Sequence, residues 1–177
     1  PVNSSDFTYA DELDGHYYYF SNYDSNWETS KLSCEENSGH LVTIKDEAEN
    51  SYIANIIAEY LDDTIWQNGR GIYGGASDLI EEGNWTWVTN EPFNYTNWRL
   101  DGPNGPEPSG GAGEDYLEIY GIAGSAVDDA YGKWNDMYYM SLYSILELEQ
   151  GCIDSTACNY QDYTYADDGS CEYPPED

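Results

Sequence analysis

Acidic side chains gather at two places where the surrounding sequence is typical of loops. Asp78 and Glu82 stand four residues apart beside Gly83, and two further polar pairs occupy residues 114–115 and 135–136. Calcium accepts six to eight oxygen ligands in variable geometry, so carboxylate and amide oxygens on loops suit this cation. The sequence therefore offers a cation site at Asp78 and Glu82 and a second one at Glu114, Asp115, Asn135 and Asp136.

Solvated surface charge is the competing interpretation of these clusters. The chain has 177 residues, and its 35 Asp and Glu stand against five Lys and Arg, for a formal charge of -30. In such an acidic chain a single exposed carboxylate is unremarkable, and a marine or halophilic surface protein shows the same bias. Bound divalent metal would relieve the mutual repulsion. The same charge disfavours nucleic acid and anionic membrane surfaces as partners.

The composition predicts a folded chain of about one main domain. Aromatic residues make up 16% of the sequence, with 19 Tyr and six Trp, which is too much packable surface for a disordered acidic coil. No apolar run approaches the roughly 18 residues that a membrane span needs. We therefore expect no membrane insertion.

The spacing of nucleophiles and bases gives little support to an enzyme. His16 and His40 are the only histidines, and neither has a Cys or Ser partner at motif spacing. The spacing thus predicts neither a catalytic triad nor a zinc site, and no phosphate-binding glycine loop is present. A carboxylate pair for glycoside hydrolysis is not excluded by count alone. We expect that the chain is not an enzyme.

Hydrophobic periodicity predicts a mixed fold. Apolar residues recur at helical spacing over 26–37 and over 46–61, and the first of these runs ends at Ser38–Gly39. Strands are predicted by aromatic, alternating or apolar runs. These runs lie at residues 16–20, 41–44, 85–88, 116–120 and 143–148.

The texture of the chain suggests three segments. Residues 101–113 contain three Pro and five Gly and almost nothing apolar, and a loop of this length in a compact domain is usually functional or disordered. From Gly151 the chain carries three cysteines in a short acidic stretch. We expect an N-terminal extension at 1–14, the main domain at 15–149 and an acidic cysteine-bearing tail at 150–177.

Several blocks, in order, resemble those of C-type lectin-like domains. That resemblance covers about residues 15–149 and implies an α+β fold with two helices flanking small antiparallel sheets and a long calcium-binding loop region. The tail is similar to a cysteine-bearing repeat of large marine bacterial surface proteins. The matching blocks are WETSKLSC at 27–34, GHLVTI at 39–44, YGGASD at 73–78, EGNWTWV at 82–88, YTNW at 95–98, GEDY at 113–116 and GKWND at 132–136.

The resemblance implies two calcium sites. The sugar-binding site would use Asn104, Glu114, Asn135 and Asp136, with Pro103 as the family's cis proline. Gly102 stands where the family has a coordinating side chain, and Glu107 of the following Glu-Pro-Ser run or Asp101 would supply that oxygen instead. The carbohydrate-binding residues would then be Asn104, Glu107, Glu114 and Asn135. The accessory site would use Asp78, Glu82, Glu114 and Asp115.

The cysteines depart from the pattern of the family, which ties its first helix to its last strand. Cys34 is present, but Leu146 takes its partner's place, and Tyr116 and Tyr139 take the places of the loop pair. Four cysteines allow three pairings. Following the resemblance, we expect bridges Cys34–Cys152 and Cys158–Cys171, with a free buried Cys34 as the alternative. Disulfides indicate an oxidising exterior.

The leading hypothesis is a calcium-dependent carbohydrate-binding module of an extracellular surface protein, with a glycan or glycoprotein as its ligand. The alternative is a protein-interaction or self-assembly module of a surface filament or adhesin, in which calcium only stiffens the loop. An ice-binding surface is a third and weaker hypothesis, since the same fold also hosts that function.

Overall fold

A computed structural model describes residues 2–60, 71–102, 105–111, 113–121, 130–160 and 164–174. Within these ranges the chain forms two helices and nine strands. The helices are α1 (Trp27–Glu36) and α2 (Glu47–Tyr60). The strands are β1 (Phe7–Leu13), β2 (His16–Ser21), β3 (His40–Leu41), β4 (Ile72–Ser77), β5 (Thr86–Trp87), β6 (Tyr116–Ile119), β7 (Trp134–Met137), β8 (Ile145–Gly151) and β9 (Thr164–Asp167).

The strands form two sheets. The first has the order β1-β2-β8-β3, and β9 pairs with β8 in parallel; the second has the order β5-β4-β6-β7. All other pairings are antiparallel. Because β8 lies between β2 and β3, the first sheet brings the early and late parts of the chain together. The predicted α+β fold class is confirmed.

Local side-chain hydrogen bonds define where both helices begin. The side chain of Asn26 accepts from the Thr29 backbone N–H at 2.8 Å, and Asp46 accepts from the Glu49 N–H at 3.0 Å. Both bonds satisfy N–H groups that have no partner within a first helical turn. The first helix buries Trp27, Ser30 and Cys34.

An aromatic cluster fills the core beneath the second sheet. Trp134 is fully buried on β7, and its indole N–H donates to the Asn50 side chain of α2 at 2.7 Å. Because strand β7 also carries residues 135–136, this packing fixes the backbone that presents them. The rings in contact with Trp134 are those of Trp87, Phe93, Tyr95 and Trp98.

The structure departs from the expected elements at the ends of the chain and in the second sheet. The segment 1–14, expected as an extension, contains β1, which pairs with β2 from Phe7 to Leu13. The predicted strands also omit β4, β7 and β9. β9 lies within the segment expected as a tail, and it pairs with β8. β1 is difficult to predict because its exposed face carries acidic residues that are rare in strands.

The predicted disulfide pairing is wrong. Cys152 is bonded to Cys171 with a Cα–Cα distance of 4.7 Å, while Cys34 is a buried free thiol and Cys158 an exposed one. Because β9 runs parallel to β8, both strands end on the same side of the sheet. Cys152, after β8, and Cys171, after β9, are therefore close together. The Cys34 side chain is fully buried in an apolar cluster that includes Leu146.

Candidate functional site

Several acidic residues lie in the loop that precedes β6 and on the neighbouring strand β7. We call residues 105–111 and 113–115 the acidic loop. Strands β6 and β7 pair with Leu117 opposite Asp136 and Glu118 opposite Asn135. This register places the Asn135–Asp136 pair beside the start of β6, directly after Glu114 and Asp115.

Glu107 is the first carboxylate held in the acidic loop. Its backbone N–H donates to the Arg99 carbonyl at 2.7 Å, and its side chain is buried. A Cβ at residue 102 would lie 2.7 Å from Glu107 Oε1, so Gly102 leaves the room that this carboxylate occupies. The Glu107 carboxylate therefore occupies the space beside Gly102, where the resemblance to the family implied a coordinating side chain.

Asp136 faces Glu107 from β7. One of its oxygens, Oδ2, accepts from the Gly110 N–H at 2.8 Å. The other oxygen, Oδ1, is buried and has no hydrogen-bond donor within the described residues, and the same holds for Glu107 Oε2. Buried polar atoms are nearly always satisfied, so two unsatisfied carboxylate oxygens at one place indicate that a positive partner belongs there.

Glu114 packs over Gly110, which has no side chain to obstruct it. A Cβ at residue 110 would overlap the Glu114 carboxylate. Gly102, which precedes the acidic loop, and Gly110 within it act in the same way, since each glycine leaves space for one carboxylate. Glu107 lies near Asp136 and Glu114, whose charges raise its pKa. Among the described residues, however, these three carboxylates do not place one oxygen each within 4.8 Å of the others.

Asn135 is oriented by a residue that the sequence analysis did not select. Its side-chain amide donates to Glu118 Oε2 at 3.0 Å and to the Asp136 carbonyl at 2.7 Å, which leaves its Oδ1 as an acceptor. Glu118 is fully buried on β6 and also accepts from the Gly71 N–H at 2.5 Å. Only the strand register, with Glu118 opposite Asn135, reveals this role.

The second acidic group follows strand β4. Asp78 is buried, its Oδ2 accepts from the Gly83 N–H at 2.8 Å, and its Oδ1 has no donor within the described residues. Its backbone N–H donates to the Asp115 carbonyl at 3.2 Å. Asp78 and Asp115 are thus neighbours, and the charge of Asp78 raises the pKa of the exposed Glu82.

The electrostatics of both groups are unfavourable without a cation. Burial raises the pKa of Glu107; a hydrogen bond with Ser109 lowers it, whereas a hydrogen bond with Asp136 and the charges of Asp136 and Glu114 raise it further. Burial also raises the pKa of Asp78; the hydrogen bond from the Gly83 N–H lowers it, and the charges of Asp115 and Asp136 raise it. The pKa of Glu82 is raised by desolvation and by the charges of Asp78, Asp115 and Asp136. Mutual repulsion among carboxylates, some of whose buried oxygens have no donor, is typical of a site for a hard cation.

The donor set fits calcium. Glu107, Glu114 and Asp136 are neighbours whose oxygens would have to move closer together to hold one ion, Asn135 adjoins Asp136, and Asp78, Glu82 and Asp115 form a neighbouring group. Asn104 and Pro103 lie outside the described residues. Among the described residues the cis peptide bond is Glu107–Pro108, and the cis bond expected at Pro103 stays a prediction.

A sequence profile and comparisons with known proteins agree on one family. The profile of the lectin C-type domain matches residues 23–138. Human C-type lectin domain family 17, member A is 28% identical over 141 residues, which is 79% of this chain and 31% of that protein. The match thus spans about a third of that relative's length.

Solved structures give the same result for the fold. A cow C-type carbohydrate-recognition domain of CD23, solved in the presence of a GlcNAc2Man3 oligosaccharide, superimposes with a TM-score of 0.60 at 25% identity. The superposition covers 86% of this chain and 98% of that one. A calcium-independent type II antifreeze protein also superimposes with a TM-score of 0.60, at 18% identity, covering 84% of this chain and 95% of its own.

Proposed function

The chain belongs to the family of lectin C-type domains, and from that membership we propose that it is a calcium-dependent carbohydrate-binding module of an extracellular surface protein. The proposed ligand is a glycan or glycoprotein. The chain acts by binding and performs no catalysis. The solved cow domain with its oligosaccharide supports the ligand class.

Four side chains of this chain would hold the sugar-site calcium: Glu107, Glu114, Asn135 and Asp136. When bound, calcium supplies a hard positive centre that neutralises these carboxylates and accepts hydroxyl oxygens of a sugar. Glu107 and Asp136 each offer a buried oxygen without a donor, and Asn135 offers its Oδ1. Asn104 remains a proposed ligand of the same site, and the sequence places it between Gly102 and Glu107.

A second calcium would be held by the neighbouring group of Asp78, Glu82, Glu114 and Asp115. Glu114 belongs to both sets, so binding at one place would alter the charge at the other. This accessory ion would stiffen the acidic loop where it meets β4 and β6. The buried, unsatisfied Oδ1 of Asp78 supports this assignment.

The observation that carries the proposal is the pair of unsatisfied buried oxygens on Glu107 and Asp136. Leaving a buried carboxylate oxygen without a partner costs roughly 1–3 kcal/mol or more. Since their carboxylates also repel each other, a bound cation is the simplest way to stabilise this arrangement.

A glycan array with and without chelator tests the proposal. The wild-type chain in millimolar calcium is expected to bind a subset of the glycans on the array, and excess EGTA is expected to abolish this binding. Glu107→Gln removes one negative charge with little change of shape and is expected to lose the same signals. Asp154→Asn, in the distant tail, is the matched control and is expected to bind like wild type.

One feature of the site favours an alternative, in which calcium only stiffens a loop that binds protein or a second copy of the chain. Both amide hydrogens of Asn135 are already donated within the chain, to Glu118 and to the Asp136 carbonyl. Fewer donors therefore remain for a sugar hydroxyl. On the array, this alternative predicts no glycan signal, while calcium still raises the melting temperature.

The extracellular location is part of the proposal. The Cys152–Cys171 bridge supports it, because disulfides persist in oxidising compartments. Among the residues that the structure describes, no helix has the length and apolar character needed to cross a bilayer.

A further inference from the structure

Both histidines of the chain lie on one face of the first sheet, together with two glutamates of β8. The strand register pairs His16 of β2 with Glu149, and His40 of β3 with Glu147. Glu147 and Glu149 are two residues apart on one strand, so their side chains point to the same side. Three neighbouring strands thus bring two imidazoles and two carboxylates together, far apart in sequence though they are.

The possible ligand atoms lie at distances that suit a metal ion. His16 Nδ1 is 2.7 Å from Glu147 Oε1 and 3.9 Å from Glu149 Oε1. One ligand atom from each of these three residues lies within 4.8 Å of the others. Ligand atoms about 2.0–2.1 Å from a tetrahedral zinc ion are separated by roughly 3.3 Å. Small side-chain movements would therefore admit an ion.

His40 is oriented as metal-binding histidines usually are. Its Nδ1 lies 3.0 Å from the Leu41 carbonyl oxygen, which can only accept, so this nitrogen carries a hydrogen. Its Nε2 lies 3.3 Å from Glu149 Oε1. A ring nitrogen bonded to a carbonyl fixes the tautomer and directs the other nitrogen towards the metal. His40 Nε2 lies outside the three ligand atoms that are within 4.8 Å of one another, so it could provide a fourth ligand after a small side-chain movement.

Glu147 is also held in advance. It is fully buried, and its Oε2 accepts from the Thr43 backbone N–H at 2.9 Å, which directs Oε1 towards His16. With neutral imidazoles, a divalent cation would balance the two carboxylate charges. The His16 and Glu149 side chains are 24% and 19% exposed, so an ion has a path from solvent.

We propose that His16, Glu147 and Glu149, with His40 Nε2 as fourth ligand, form a site for a divalent transition-metal ion of the zinc type. Imidazole nitrogens favour zinc over calcium, which prefers oxygen ligands throughout. The site is separate from the acidic loop and does not depend on the function proposed for it. A metal here would tie β2, β3 and β8 together.

Calorimetric titration of zinc tests the site in the full 177-residue chain. Cys158→Ser serves as the reference, because an exposed thiol also binds zinc. After removal of metals, the chain is saturated with calcium so that the acidic loop does not compete. We expect one zinc per chain, and an affinity at least about tenfold lower for His16→Ala and for Glu149→Gln. Cobalt in place of zinc is expected to give visible d–d absorption that both variants lose.

Glu36→Gln, an exposed position of α1 outside both proposed sites, is the matched control and is expected to bind zinc like the reference. Each variant is checked by circular dichroism melting, and Glu149→Gln decides if His16→Ala does not fold. Absence of zinc binding in the reference would overturn the proposal. Unchanged affinity in the folded variants, or equal loss in Glu36→Gln, would also overturn it.

Discussion

Carboxylates are stabilised in opposite ways on the two sheets of this molecule. Beside the second sheet, burial and neighbouring acids raise the pKa values of Glu107 in the acidic loop and of Asp78 after β4. On the first sheet, the hydrogen bond from His40 lowers the pKa of Glu149. The hydrogen bond to Glu147 correspondingly raises the pKa of His16. The type of neighbouring side chain therefore decides the direction of the pKa shift, because Glu149 has a histidine partner and Glu107 and Asp78 have acidic neighbours.

Calcium removal is the largest expected effect of this difference. A ligand that binds only the folded state adds about 2.7 kcal/mol at a concentration of 100 times its Kd. For a chain of this size that corresponds to a melting temperature higher by roughly 5–10 °C. Scanning calorimetry with calcium and with EGTA measures the shift. Identical melting curves would mean that the acidic loop binds no calcium.

Substitution of a single proposed ligand in the acidic group should weaken calcium binding, whereas a substitution on the first sheet should not. Glu114→Ala and Asn135→Ala are each expected to lower calcium affinity by at least about tenfold, since each removes an oxygen from a site with few to spare. Calorimetric titration gives the affinities. Glu149→Gln, on the first sheet, is the control and should bind calcium like wild type. Equal affinities in all three variants would refute the assignment.

Glu118 offers a subtler test, because it would act on calcium only through Asn135. Glu118→Gln keeps the shape of the side chain but replaces one carboxylate oxygen with an NH2 group. That group cannot accept the hydrogen bond that Glu118 now receives there from the Gly71 N–H or from the Asn135 amide. We expect calcium affinity to fall by about tenfold, the lower end of the range for residues that orient metal ligands. If Glu118→Gln instead lowers stability equally with and without calcium, the residue is structural only.

The smallest predicted effect is a pH dependence in the absence of calcium. The folded pKa of Asp78 is raised, so its contribution to stability is present below the unfolded pKa of about 3.9 and is lost as pH rises through the folded value. In EGTA, stability relative to Asp78→Asn should therefore decrease from about pH 4 towards neutrality. Urea unfolding of both proteins across this range measures it. A difference that grows with pH in favour of wild type would have the wrong sign.

Hydrophobic periodicity was sufficient to predict both helices. The proposed ligands Glu114, Asn135 and Asp136 could be named because their blocks resemble those of C-type lectin-like domains. The histidine and glutamate cluster could not be selected, since His16 and Glu149 meet only through the pairing of β2 with β8. The disulfide failed for a related reason, because parallel pairing of β9 with β8 gives Cys152 a partner nearer than Cys34.

A crystal structure of the chain grown in millimolar calcium, with anomalous diffraction recorded at long wavelength, tests the central claim most directly. If calcium binds in the acidic loop as proposed, an anomalous peak is expected at about 2.3–2.6 Å from oxygens of Glu107, Glu114 and Asp136. The unsatisfied oxygens of Glu107 and Asp136 are also expected to face that peak. A well-ordered acidic loop that contains no peak at saturating calcium would contradict the account.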